Sequence, residues 1–380
     1  MNIKIGIVGG GISGLMLGCI LKQNFIDCII FERSLGISEY GAGISISPNA
    51  LPLLNHIKVL DSLRNVSCRP LNIVFRKSNG LALTNISTSK LGKLITMNRG
   101  ELVKTLYNRY LDLNGEIYFN HELEYFDNNE ISLSFRNSKK YKLDHIVGCD
   151  GIKSVIRNNV FDSSYKPEYS GYSAWRGIGT SDSKNINLYL GEDSHLVCYP
   201  INDKLETSFI GIFKTENSSE ETWRREGTHK ELSADLKMYD SFMHSLFRSS
   251  DKVYRWGMYT RPSLKSLINK NITLLGDAAH PMLPFLAQGA NMAIEDSFIF
   301  GNLCKNFSND FVKIQKYYEK IRLKRVNKVK NLSRQQATIY HISNPIFLGM
   351  RNFMLKNTNI TLSRLKNIYN YNAIEELSRI

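Results

Sequence analysis

The sequence predicts an α/β fold: a parallel sheet with helices, interrupted by a mixed β-sheet block and closed by C-terminal helices. Three observations predict it. Strand-like runs that end in glycine turns and lead into helical stretches occur at the start, in the middle and late in the chain. Between the second and third of them, residues 167–262 read mostly as strands with turn punctuation, broken by a helical stretch at 230–247. The chain has 380 residues, 42% hydrophobic and 22% charged, enough for two or three modules and a sizeable core.

The elements follow in order. Residues 3–8 are apolar and β-branched, and a glycine turn at 9–14 leads into a helix at 15–23. Cys28-Ile29-Ile30-Phe31 is a second strand, ending in Glu32. A helix is expected over 49–63, alternating polarity over 71–94, and a helix over 99–113, where Leu102, Val103, Leu106, Tyr110 and Leu113 recur at helical spacing. Hairpin-like stretches follow at 116–126 and 131–143, and a strand at 145–149 runs into Asp150-Gly151. Residues 272–275 form another apolar strand, leading into Gly276-Asp277. A helix starts near Gly289 and passes Phe300, and the chain from 310 onward is largely helical. The expected division is 1–70, 98–165 and 268–330 for the first domain, 71–97 and 166–267 for the inserted one, and 331–380 for a C-terminal helical segment.

Composition excludes several classes. No apolar run reaches about 18 residues, which argues against a membrane-spanning helix. The six cysteines form no Cys-x-x-Cys pair, so neither a zinc ribbon nor a disulfide scaffold is expected, and no metal. The first strand begins at once and leaves no room for a signal peptide, so a reducing cytoplasm is the expected location. The net charge of +14 comes from 49 Lys+Arg against 35 Asp+Glu. No nucleic-acid motif accompanies it, and the basic run 322–334 reads as a solvated helix face with an oligomer contact as the alternative.

The chemistry-bearing motifs begin with Gly9-x-Gly11-x-x-Gly14 between a strand and a helix. Glycines there let the backbone approach a pyrophosphate, and the helix start offers free N–H groups. Glu32, ending the next strand, is placed to accept from ribose hydroxyls and disfavours a 2′-phosphate, so the resident ligand is FAD or NAD rather than NADP. The second motif is Gly148-Cys149-Asp150-Gly151, continuing to Ser154 and Arg157. The third is Gly276-Asp277-Ala278-Ala279-His280-Pro281, followed by Pro284 and by Gln288-Gly289-Ala290-Asn291 up to Glu295-Asp296.

These ordered motifs resemble the single-component FAD-dependent aromatic hydroxylases (group A flavoprotein monooxygenases). Residues 283–291 are most similar to the salicylate hydroxylase and 3-hydroxybenzoate 6-hydroxylase branch. Gly41-Ala42-Gly43-Ile44, Asn98-Arg99-Gly100-Glu101, Ala174-Trp175-Arg176-Gly177, Tyr199-Pro200 and Tyr318-Glu319 ahead of Arg322 and Arg325 match as well. The resemblance spans residues 3 to about 345. It implies a Rossmann-like FAD-binding domain and a mixed β-sheet substrate domain. It also implies bound FAD, transient NADH or NADPH, O2 and a small aromatic substrate hydroxylated through a C4a-hydroperoxyflavin. On the same chassis, a larger substrate or a non-catalytic flavin-binding redox module is the alternative. A monomer or homodimer is expected.

Carried onto this chain, the resemblance assigns cofactor contacts to Gly9, Gly11, Ser13, Gly14, Glu32, Arg33, Gly43, Ile44, Arg99, Asp150, Gly151, Gly276, Asp277, Gly289, Ala290 and Asn291. Gly289 permits close backbone approach, and the amides of Ala290 and Asn291 would meet the flavin N1/O2 edge, where a helix N-terminus stabilises negative charge. At strand spacing His195, Val197 and Tyr199 share one face, so His195 is the candidate base for a phenol and Tyr199 its neighbour. Pro284 joins them at the reaction centre. Arg176, Tyr259 and Phe285 are candidate pocket residues, Arg261 a further one, and Trp175 reads as core. Trp175 and Arg176 are alternatively cation–π partners or a pocket floor. His280 reads as a packed histidine, and His341 has no supporting context. Two departures from the family fall in the substrate half. Ser266-Leu267 stands where a Trp is usual, and 205–215 lacks the usual asparagine.

Overall fold

The computed structural model describes residues 4–37, 42–161, 166–216, 221, 225–308 and 310–380. The first strand, Ile5–Val8, is buried along its length, and its first expected residue, Ile3, lies outside the described residues. It sits inside a six-stranded sheet ordered Ile268–Asn269, Ile272–Leu274, His145–Gly148, Ile5–Val8, Cys28–Phe31, Glu116–Tyr118. All neighbours are parallel except the first two strands. The order reverses at Ile5–Val8, the place where an open α/β sheet receives a ligand beyond its strand ends. Helices Ile12–Gln23 and Gly289–Asn306 pack against each other through Gly301 and Ile20.

The second sheet has eight strands: Glu226–Gly227, Val253–Thr260, Glu168–Thr180, Glu206–Lys214, Ser194–Pro200, Ile186–Leu190, Asn72–Lys77 and Ala82–Ser87. Its two faces separate by the two-residue period of a strand. Trp175, Leu196, Cys198, Phe209 and Phe213 bury against helices His229–Asp235 and Ser241–Arg248 on the outer face. Ala174, Tyr199, Ile212 and Phe285 share the inner core with residues of the C-terminal helices. Trp175 is therefore core, its indole N–H donating to Asp235 at 2.8 Å.

Several expected elements are re-partitioned. The helix expected over 49–63 is two helices, Leu51–His56 and Leu60–Asn65, because Lys58 takes a left-handed turn (φ 61°) between them. Glu116–Tyr118 does not form a hairpin with its successor. It joins the parallel sheet beside Cys28–Phe31, while Leu123–Asp127 pairs with Ser132–Phe135. The helical stretch at 230–247 divides at Leu236–Asp240, where Asp240 caps the second helix by accepting from the Met243 amide. Strand Ile95–Asn98 pairs with Gly43–Ile46 and Ser67–Cys68 in a separate small sheet. The tail forms helices Phe311–Tyr340, Pro345–Asn357, Ile360–Tyr369 and Ala373–Ser378. Among the described residues, no helix is long and apolar enough to cross a membrane, and no cluster of His, Cys, Asp or Glu is placed to hold a metal.

Candidate active site

The glycine turn is required by close approach. A Cβ on Gly14 would lie 1.9 Å from the Gly9 carbonyl, and Gly9 itself has φ 109°. A Cβ on Gly11 would meet nothing within 4 Å, so this side of the turn is open. Helix Ile12–Gln23 starts there with no side-chain cap, leaving its first amides for an external acceptor. Glu32 accepts from the Gly10 amide at 2.7 Å and from Ser34 at 2.9 and 2.8 Å, which fixes its carboxylate beside the turn. Arg33 is exposed next to it. Ser13 turns inward, 3.4 Å from Ser297 on helix Gly289–Asn306.

The motifs distant in sequence meet through hydrogen bonds. Arg157 is fully buried and donates to the Asp277, Ala278 and Ile152 carbonyls, which joins the Asp150-Gly151 turn to the Gly276-Asp277 turn. Asp150 caps the short helix Val155–Val160 through one oxygen, at 2.7 and 3.2 Å. Its other oxygen is buried without a hydrogen-bond partner. Burial pushes the Asp150 carboxyl up. Asp277 is exposed between buried Gly276 and Ala278. Asn291 accepts from the Ser47 amide and donates to the Ser45 and Ala287 carbonyls, which ties strand Gly43–Ile46 to the start of helix Gly289–Asn306. That helix also lacks a side-chain cap, and a Cβ on Gly289 would meet nothing within 4 Å. Ala290 is half-buried beside it, and Arg99, half-buried, opens helix Arg99–Asp112 with its amide on the Ala42 carbonyl.

This arrangement fits FAD. Open space at Gly11 and Gly289, two uncapped helix starts, an exposed Asp277 and an orphaned Asp150 oxygen are complementary to a pyrophosphate, a flavin ring edge and hydroxyl donors. Gly151, with φ 77° and open space at its Cβ position, borders the same turn as Asp150. Of the Gly41–Ile44 match, Gly41 lies outside the described residues. Gly43 packs on the sheet, its amide donating to Ser208 at 2.9 Å and its Cβ position 2.7 Å from the Tyr199 ring, with Ile44 half-buried next in the strand.

The inner face of the eight-stranded sheet closes over this edge. His195 is buried there, with Nδ1 2.7 Å from Nε2 of His341. Burial and the neighbouring His341 hold His195 well below its ordinary value, and burial brings His341 to about 4, so both imidazoles are neutral at pH 7. Of two neutral rings at this distance, one donates and the other accepts. Phe285, Tyr172 and Tyr340 complete an aromatic wall, with ring centroids 5.4 Å from His195 to Phe285, 4.8 Å from Tyr172 to His341 and 5.1 Å from His195 to Tyr340. Tyr199 lies on the same face, and burial pushes its phenol up. Pro284 is exposed at the turn of residues Pro284–Leu286, ahead of the helix start. Arg176 sits on the inner face between Tyr254 and Trp256, at 5.3 and 5.6 Å from their ring centres.

Two candidate pocket residues are engaged elsewhere. Tyr259 alternates with Trp256 and Met258, faces the opposite way and packs on Tyr169 at 5.6 Å, because a strand turns successive side chains to opposite faces. Arg261 is engaged by Glu221 in a two-bond ion pair, at 2.7 and 2.9 Å, and is not a free pocket cation. The solvated-face reading of 322–334 holds for Lys324, Lys328 and Arg334, which are exposed, but not for Arg322, Arg325 and Lys330, which are buried. Arg322 and Arg325 are buried and clamp Glu295, at 2.8 and 3.0 Å, and Arg322 also holds Asp296 at 2.6 Å. Asp296 accepts from the Gly276 amide and bonds His280, so the network ends on the Gly276-Asp277 turn. Burial pushes Asp296 up, but His280 and Arg322 hold it below the usual carboxylate range. Sequence reading missed His341 as a partner of His195. Its only signal would have been a second histidine near the end of a helix that returns to the sheet.

Comparisons agree with this geometry. The profile of the FAD binding domain family matches residues 2–330. A 3-amino-4-hydroxybenzoate 2-monooxygenase of Streptomyces platensis is 27% identical over 357 residues, 89% of each chain. A 3-hydroxybenzoate 6-hydroxylase of Klebsiella oxytoca is 26% identical, covering 88% of each. The solved structure of a salicylate hydroxylase substrate complex superposes with a TM-score of 0.84 at 21% identity, covering 99% of this chain and 97% of that one.

Proposed function

We propose, for a chain that belongs to the FAD binding domain family, that it is an FAD-dependent monooxygenase consuming NAD(P)H and O2 and hydroxylating an aromatic small molecule. One observation carries the reading. The Gly9–Gly14 turn, the Asp150-Gly151 turn, the Gly276-Asp277 turn and helix Gly289–Asn306 are bound to one another by Ser13, Arg157 and Asp296, under a sheet face bearing His195.

When bound, FAD supplies hydride acceptance from NAD(P)H and the activation of O2. The chain's own residues bind, orient and exclude water. Glu32 and Asp277 receive hydroxyl donors of the cofactor, and the amides of residues 289–291 face negative charge at its ring edge. Arg157, Asn291 and the Arg322–Asp296 pair are positioning residues that hold those turns. Phe285, Tyr172 and Tyr340 keep the reacting region dry. His195, neutral at pH 7, takes the proton of a phenolic substrate at its imidazole and can share it with His341 across their 2.7 Å bond. The six free cysteines, five of them buried, fit a reducing cytoplasm, and a monomer or homodimer completes the reading.

The experiment is NADH and NADPH oxidation by the purified, FAD-loaded protein across phenolic acids, quinolones and polycyclic phenols, with mass spectrometry of the products. Faster oxidation with gain of one oxygen atom is the expected result. Bound FAD with no stimulation by any compound would favour a non-catalytic flavin-binding module.

A further inference from the structure

A cavity of about 710 Å³ lies beyond the aromatic wall, between the inner sheet face and helices Pro345–Asn357 and Ile360–Tyr369. Tyr172, Leu286 and His341 line its inner side, so a single layer of side chains separates it from His195, and Leu286 belongs to the turn preceding Gly289. The opposite side is formed by Phe347, Met350 and Met354, at helical spacing on one face, and by Ile360. These four are 58%, 55%, 42% and 39% exposed, although they border a cavity. Large apolar groups left open to a concave space mark a ligand surface rather than a protein core.

The charge of the lining points the same way. Asp193 and Lys214 form an ion pair at 3.5 Å and offset each other. Arg351 and Arg364 remain, and among the described residues neither has a carboxylate partner. Arg351 is 5% exposed and donates only to neutral oxygens, those of Asn352, Ile339 and Tyr340. Arg364 has a buried Nη2 with no hydrogen-bond partner. A buried guanidinium without a counter-charge is costly, and an entering carboxylate would supply both the charge and the acceptors. Arg322 and Arg325, by contrast, are each bonded to acids in this same chain.

We infer that this cavity holds the substrate body, and that the substrate is an extended aromatic carboxylic acid of several rings rather than a single-ring phenolic acid. The inference rests on the monooxygenase reading. The rings lie on Phe347, Met350 and Met354, and the carboxylate is received by Arg364 and Arg351.

The test is equilibrium titration of the full-length, FAD-loaded protein with anthracene-2-carboxylate, its carboxamide and benzoate, followed by ligand fluorescence and flavin absorbance. The three-ring acid binds about tenfold or more tighter than either comparison compound. Arg364→Gln removes the preference for acid over amide. Met350→Trp, which fills the cavity from an exposed position, weakens the three-ring acid about tenfold and leaves benzoate unchanged. Equal affinities for acid and amide, or binding indifferent to both variants, overturn the inference. The two readings fail separately. Loss of the monooxygenase reading shows as a flavin that NAD(P)H does not reduce, whereas loss of this one leaves flavin reduction intact.

Discussion

The buried charges beneath helix Gly289–Asn306 and those around the C-terminal cavity are handled in opposite ways. Beneath the helix, Arg322 and Arg325 meet Glu295 and Asp296, and Asn49 donates to Glu295 at 2.7 Å, so the side chains neutralise one another. What stays open there is backbone: the amides at the starts of two uncapped helices. Around the cavity, among the described residues, Arg351 and Arg364 have no acid partner, and Arg351 donates to backbone and amide oxygens alone. The difference teaches which part of each site is fixed by the fold and which waits for a ligand. The cofactor half presents rigid dipoles, and the cavity presents unpaired side-chain charge.

The largest expected effect breaks the open-backbone side. Gly14→Ala puts a Cβ 1.9 Å from the Gly9 carbonyl, and the purified variant is expected to retain no flavin absorbance. If it binds FAD normally, the turn is not the cofactor cradle. Breaking the neutralised side comes next. Arg322→Met leaves Glu295 and Asp296 buried with too little compensation and is expected to cost about 3–5 kcal/mol in chemical denaturation. The same change at Arg364 should cost far less, since no acid is abandoned. Equal losses at the two positions would erase the contrast.

The histidine pair bridges the two regions. His195→Gln is expected to lower kcat by about 10²–10⁴ with FAD content unchanged, and His341→Gln to shift the pH profile of kcat with a smaller loss. A profile unmoved by His341→Gln would show that the 2.7 Å contact carries no proton. The smallest effect is on stability against pH. Burial lowers His341 in the folded state from 6.5 to about 4, so the unfolded chain takes up the proton first. Its contribution is therefore full above about pH 6.5 and falls as the pH drops toward 4, and His341→Gln should make that limb shallower, with the part due to His195, also held low, remaining. Asp296, also held low when folded, loses its contribution at still more acid pH as it becomes protonated, and should remain in the variant.

Much of the cofactor half was legible because its signals are local. A glycine turn between strand and helix, an acid closing the next strand and an uncapped helix start each depend on a few consecutive residues. The face shared by His195 and Tyr199 was legible for the same reason, since strand alternation is a property of the backbone. The failures are non-local. Arg322 and Arg325 read as solvated because a helix surface is polar or buried only according to what packs on it, and Glu295 and Asp296 lie about 27 residues away. His341 had no context because its partner lies 146 residues earlier.

By itself, then, the sequence determined the order of strands and helices, the placing of the glycine turns and their acid, and the alternation of faces in the inserted sheet, all set by bonding within short segments. Tertiary structure alone decided which arginines are buried and paired, which histidine faces His195, and that a cavity opens beneath residues 345–369. Those outcomes depend on desolvation and Coulomb interaction between groups that only the folded chain brings together.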